Sequence, residues 1–98
     1  MMIHRCHHHG FTVSNLDKAL AFYRDVLGLE VLRVSERANL PSYDRMLGYP
    51  NVKLKVALLK HAGSDFLLEL FEYVNPPVQP RKLEPRLVGA SHVAFEVD

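Results

Sequence analysis

His8-His-Gly-Phe-Thr-Val13 and its near copy His92-Val-Ala-Phe-Glu-Val97 decide how this chain is read. Each opens on His, carries Phe at its fourth position and closes on Val. Side chains of a strand alternate between two faces. His8 therefore shares a face with Gly10 and Thr12, and His92 shares one with Ala94 and Glu96. Phe11 and Val13, or Val93, Phe95 and Val97, occupy the reverse. A ligand-type side chain on a roomy face, backed by apolar packing, is thus used twice. The two copies stand too far apart for a solenoid unit and suit a duplicated small module.

Working outward from the first copy, Ser14 and Asn15 are good helix N-cap types, and Leu16, Ala19, Leu20, Tyr23, Val26 and Leu27 recur at helical spacing. Gly28 supplies the left-handed stop expected beyond a helix end. The spacing predicts one helix over Leu16 to Leu27. Leu29 to Glu36 alternates as a strand, interrupted by the adjacent pair Val31-Leu32. Ser42 to Leu47 is long enough for one helical turn before Gly48. Val52 to Lys60 alternates, with Val52, Leu54, Val56 and Leu58 on one face and Lys53, Lys55, Ala57 and Leu59 on the other. His61-Ala-Gly-Ser64 is a turn, and Asp65 to Tyr73 is the next strand. Asn75 to Pro80 is a stiff, extended loop. The fold class expected is α+β: a βαβββ module over residues 1–73, a linker over 74–90, and over 91–98 the first strand of a second, incomplete module.

Composition narrows the function classes. With 98 residues the chain makes one small domain at most. A net charge of +1 gives no electrostatic case for nucleic acid or an anionic membrane. No apolar run approaches the roughly 18 residues of a membrane span. The opening Met1-Met-Ile-His-Arg-Cys6 is unlike a secretory signal, and the lone Cys6 fits a reducing compartment, so a cytoplasmic location is the expectation.

Glu69 shares its strand face with Leu67, Phe71 and Tyr73, while Phe66, Leu68 and Leu70 cover the reverse. A carboxylate amid apolar surface is costly to bury unless it is paired or binds a cation. His8, Glu69 and His92 form a mixed nitrogen and oxygen donor set, which suits zinc, nickel, cobalt, manganese or iron(II) without choosing among them. They sit on three separate strands, so their convergence depends on the fold. His7 and His9 fall on the other face. Glu72 and Glu96 are read as solvated or salt-bridged, Tyr23 as core, and Lys53 and Lys55 as a solvated face. No phosphate-binding glycine loop, paired-cysteine zinc site or nucleophile elbow is present.

Four stretches together resemble the vicinal-oxygen-chelate superfamily of glyoxalases, methylmalonyl-CoA epimerases, extradiol dioxygenases and bleomycin or fosfomycin resistance proteins. They are His8 to Asp17, Ala21-Phe-Tyr-Arg-Asp-Val-Leu-Gly28, Leu67-Leu-Glu-Leu-Phe-Glu72 and Ser91 to Asp98. The resemblance implies paired βαβββ modules whose curved sheets surround a divalent metal ion. In the glyoxalase and epimerase branch the ligands come from the first and fourth strands of each module. By position these are His8, Glu69 and His92, with a fourth ligand beyond Asp98. It also implies a chain truncated relative to a two-module member, and a homodimer that pairs modules across chains.

The activity so implied is that of a metal-dependent lyase or isomerase acting on a small oxygenated substrate. A Lewis-acid metal stabilises the enediolate or enolate left when a proton departs from the carbon beside a carbonyl. A carboxylate moves that proton; Glu69 is a candidate if it loosens from the metal, a group beyond Asp98 is the alternative, and Leu67 and Phe71 are the candidate substrate contacts. Three other outcomes follow from the same resemblance. One is an extradiol-type dioxygenase, whose site uses two His and one Glu without a carboxylate at the Glu69 position. Another is a drug-sequestering protein of the bleomycin-resistance kind, whose branch lacks the metal ligands. The third is an inactive fragment.

Overall fold

Strand alternation demands that one sheet face be covered, and the helical stripe after Asn15 supplies the cover. In the computed structural model, which describes residues 1–98, the order is β1 (His9–Thr12), α1 (Leu16–Leu20) running on as a π-helical turn (Ala21–Val26), β2 (Glu30–Ala38), α2 (Pro41–Leu47), β3 (Lys53–Lys60) and β4 (Leu67–Asn75). The four strands form one open mixed sheet in the order β1-β4-β3-β2. β2, β3 and β4 are antiparallel neighbours, and β1 lies parallel to β4. The chain is α+β, as its pattern predicts.

Helix α1 begins where the cap residues place it: Asn15 Oδ1 accepts the Lys18 amide at 2.9 Å. From Ala21 the helix winds wider, and the Leu27 amide bonds the Phe22 carbonyl, five residues back, at 2.9 Å. The single α-helix expected over Leu16–Leu27 is therefore α-helical for its first part only. A wider turn breaks the 3.6-residue period, and the stripe rotates off the core. Leu16 and Leu20 are buried, whereas Val26 is 70% exposed. Gly28 then takes φ 78°, as the left-handed stop requires.

Two apolar clusters hold the sheet. On the helix side, Leu16, Leu20 and Leu29 pack with Ala57, Leu59, Leu68 and Leu70. Leu59, Leu68 and Leu70 expose nothing, and each such side chain contributes about 1.5–3 kcal/mol of transfer free energy. On the opposite face, Val52, Leu54 and Val56 meet Tyr43 and Leu47 from α2, and Phe71 and Tyr73 from β4. β3 thus buries both faces with the alternation read from its sequence. Asp44 fixes α2 to the start of β3: its carboxylate accepts the amides of Asn51 at 3.1 Å and Val52 at 2.9 Å.

Two further departures from the sequence reading have local causes. A bulge between Val31 and Arg33 shifts the β2–β3 register. It absorbs the adjacent apolar pair Val31-Leu32 by leaving Leu32 half exposed while Val31 packs on the helix side. Residues 91–98, expected as a strand, are irregular. A strand needs a hydrogen-bonded neighbour, and none of the four strands pairs with them. No helix is long and apolar enough to cross a membrane.

Glu72 has a structural task. Its Oε1 accepts the amide of Leu16 at the start of α1 at 2.7 Å, and Lys55 Nζ lies 3.9 Å from its Oε2. This bond joins two elements 56 positions apart in the chain. Replacing Glu72 with Ala leaves a part-buried amide unpaired, and should lower stability by about 1–3 kcal/mol in denaturant unfolding. Glu72→Gln, which keeps an acceptor oxygen, should lose less.

Candidate functional site

The parallel β1–β4 ladder aligns Gly10 with Glu69 and Thr12 with Phe71. It carries the cleft face of the first histidine strand directly against the cleft face of β4. A hydrogen at Gly10 matters here. A Cβ at this position would stand 3.2 Å from the Phe71 ring and 3.4 Å from the Glu69 carbonyl oxygen. Glycine therefore allows Phe71 and the β4 backbone to close against β1.

On this face lies an open cleft of about 510 Å³. His8, just before β1, joins Gly10 and Thr12 of β1 and Glu69, Phe71 and Tyr73 of β4; β3 contributes Leu54 and Val56, and α2 roofs one end with Tyr43, Met46 and Leu47. His8 Nε2 lies 3.4 Å from Glu69 Oε1. His8 Nδ1 is 2.9 Å from His7 Nδ1, which leaves Nε2 as the nitrogen that faces the carboxylate. Glu69 is well shielded, with 19% of its side chain exposed against 41% for His8.

The 3.4 Å separation can be compared with two uses of such a pair. A charge-assisted N–H···O bond closes to about 2.7–2.9 Å. Two donors each about 2.1 Å from one cation, at the tetrahedral angle, stand about 3.4 Å apart. The pair fits the second spacing better than the first, and its donor atoms are those that zinc-like divalent ions accept.

The family follows from the sequence and fold together. Residues 5–98 match the model of the Glyoxalase/Bleomycin resistance protein/Dioxygenase superfamily. The chain belongs to this superfamily. Among curated relatives, it is 30% identical over 97 residues to the uncharacterized protein YwkD of Bacillus subtilis, covering 99% of this chain and 64% of that protein. It is 35% identical over 95 residues to the mitochondrial methylmalonyl-CoA epimerase of Mus musculus, covering 96% of this chain and 46% of the epimerase. The chain thus spans less than two thirds of each of these relatives. A glyoxalase family protein of known structure from Bacillus cereus shares the fold, with a TM-score of 0.72 and 17% identity over 97% of this chain and 60% of that one.

Within this glyoxalase-superfamily fold, the expected site residues divide. His8 and Glu69 come together, and Phe71 lines the same cleft. Leu67, although on the Glu69 face of β4, lies outside the cleft lining. His92 is elsewhere. It lines a second cavity of about 620 Å³ with His9, Phe11 and Tyr23, beneath the segment from Leu83 to Val93. Phe11 and Tyr23 pack with the helix-side cluster, so His92 does not join His8 and Glu69 here. No group of three His, Cys, Asp or Glu residues is close enough to hold a metal ion. The convergence of three donors expected from the sequence is a convergence of two, because residues 91–98 are not paired beside β1.

The sequence reading missed Arg33, Arg37 and Tyr73 as cleft residues. The β2 bulge restarts the alternation that would have placed the arginines. Burial, and then the neighbouring Tyr49 ring, push the Tyr73 phenol above its ordinary pKa, so it stays protonated and able to donate at neutral pH. Spectrophotometric titration should show one phenol ionising above the usual tyrosine range, and Tyr73→Phe should remove that component. Gly10→Ala should displace the Phe71 ring, visible as a shift of its aromatic NMR signals, and cost about 1 kcal/mol or more in stability.

Proposed function

We propose that this chain provides the first half of a divalent-metal site in a lyase or isomerase of the glyoxalase and epimerase kind. The observation that carries the reading is the His8 Nε2–Glu69 Oε1 spacing of 3.4 Å at the wall of an open cleft. The 35% identity to methylmalonyl-CoA epimerase supports the choice of branch. His8 and Glu69 hold the ion. His92 completes a third position once residues 91–98 pair along the free edge of β1, which the sheet order leaves open. The assembly proposed is a homodimer with paired modules, in the reducing cytoplasm that a lone thiol fits.

A bound divalent ion supplies Lewis-acid polarisation of a carbonyl oxygen. The residues of the chain supply the rest. Glu69 is the one carboxylate among the cleft's lining residues, and its second oxygen is the group available to take a proton from a carbon beside that carbonyl. Phe71, Leu54 and Val56 exclude water from the floor of the cleft. The protonated Tyr73 phenol donates to a substrate oxygen.

Calorimetric titration with zinc, nickel, cobalt and manganese tests the reading. Stoichiometric binding of at least one ion is expected. His8→Ala and Glu69→Ala should each weaken that binding by at least about tenfold. Ion binding that survives both substitutions contradicts the assignment, as does metal-free binding of a drug that a chelator leaves unchanged.

A further inference from the structure

The wall opposite β1 carries a charge that the proposed metal chemistry does not use. β2 places Arg33, Ser35 and Arg37 at alternate positions beyond its bulge, and both arginines line the cleft. Arg33 is exposed and aligns through Leu58 with Glu69, and Arg37 is half-buried. The Arg37 guanidinium is held in place: Nη1 donates to Ser35 Oγ at 2.8 Å and Nε donates to the Tyr43 hydroxyl at 3.3 Å.

Both of these partners are neutral. The ion pairs of the chain are His8–Glu69, Arg24–Asp25, Lys55–Glu72 and Arg86–Glu84. Neither Arg33 nor Arg37 takes part in one. A guanidinium stays charged at any working pH, and two of the five N–H donors of Arg37 are satisfied by Ser35 and Tyr43. The other three have no carboxylate to meet. A fixed planar fork of this kind matches the paired oxygens of a carboxylate or phosphate group.

We propose that Arg37, with the exposed Arg33 on the same strand face, binds an anionic oxygen group of the substrate, a carboxylate or a phosphate. The proposal rests on the preceding reading only in naming the occupant a substrate. Glu69 stands on β4, two strand positions from β2 in the sheet, and the register aligns Arg37 through Leu54 with Tyr73, four residues along β4 from Glu69. The Arg37 fork and the His8–Glu69 pair are thus separate points on the cleft wall, and the substrate carries its anionic group apart from the carbon that reacts beside His8 and Glu69. Arg37 is a binding residue in this scheme and takes no part in proton transfer.

The test uses the whole chain at low ionic strength, stripped of metal on a chelating resin, so that its outcome is independent of the His8–Glu69 site. Malonate and inorganic phosphate are titrated separately and followed by NMR chemical shifts. Saturable binding of at least one is expected. Arg37→Gln should weaken it about tenfold or more, Arg37→Lys should weaken it less, and Arg24→Gln, on the exposed Arg24–Asp25 pair, should leave it unchanged. The anion that binds more tightly identifies the group. Should Arg37→Gln fail to fold, Arg33→Gln, at an exposed position, carries the test through weaker binding. Absence of saturable binding by both anions, or binding unchanged in the folded arginine variants, overturns the proposal. Either result leaves the metal titration free to succeed or fail by itself.

Discussion

Four residue pairs, from His9 with Leu68 to Thr12 with Phe71, join the first strand of the chain to the last in a parallel ladder. Everything at the cleft depends on this register. A slip of one residue would turn Gly10 and Thr12 to the helix side and carry His8 away from Glu69. Parallel neighbours need a long crossover, and the whole stretch from α1 to β3 provides it. β1 is short and lies at the sheet edge, so its place is secured by what surrounds it. Phe11 packs with the helix-side cluster, the Val13 amide bonds the Phe71 carbonyl at 2.7 Å, and Glu72 ties the following helix to β4.

β4 shows how one strand divides stability from chemistry. Leu68 and Leu70 are fully buried against α1, and Glu72, on the same face, accepts an amide at the start of that helix. Glu69, Phe71 and Tyr73 face the cleft. Two carboxylates three residues apart therefore have different roles because strand periodicity sends them to opposite sides. The helix-side carboxylate meets a backbone donor, while the cleft-side one meets only an imidazole at a distance too long for a strong hydrogen bond. The proposal that Glu69, rather than Glu72, holds a cation rests on that difference.

Much of this was legible in the sequence, and the failures have physical reasons. Alternation in Val52–Lys60 and Asp65–Tyr73 gave both faces of β3 and β4, because α1 buries one face of these strands and the other carries the Val52 cluster and the part-buried cleft wall. The Asn15 cap and the Gly28 stop fixed the helix ends. The π-helical turn was not legible, since Val26 and Leu27 continue an α-helical pattern that only the hydrogen bonds reveal as broken. The arginines of β2 were hidden by the bulge at Val31, which no turn residue announces. Glu72 reads as solvated or salt-bridged in the sequence; it does lie near Lys55, but its bond to the Leu16 amide was hidden because a side-chain pattern cannot display a backbone partner. His92 followed from the repeat of the first histidine strand, yet a repeat takes up strand conformation only when it pairs with a neighbour, and residues 91–98 do not pair with the free edge of β1 here.

The central claim is that His8 and Glu69 act as one donor pair across the β1–β4 ladder. A zinc titration observed by NMR, with labels on the histidine imidazoles and on the glutamate carboxyl carbons, tests it most directly. The His8 Nε2 and Glu69 carboxyl resonances should move together with a common midpoint. Movement of either resonance without the other would contradict it.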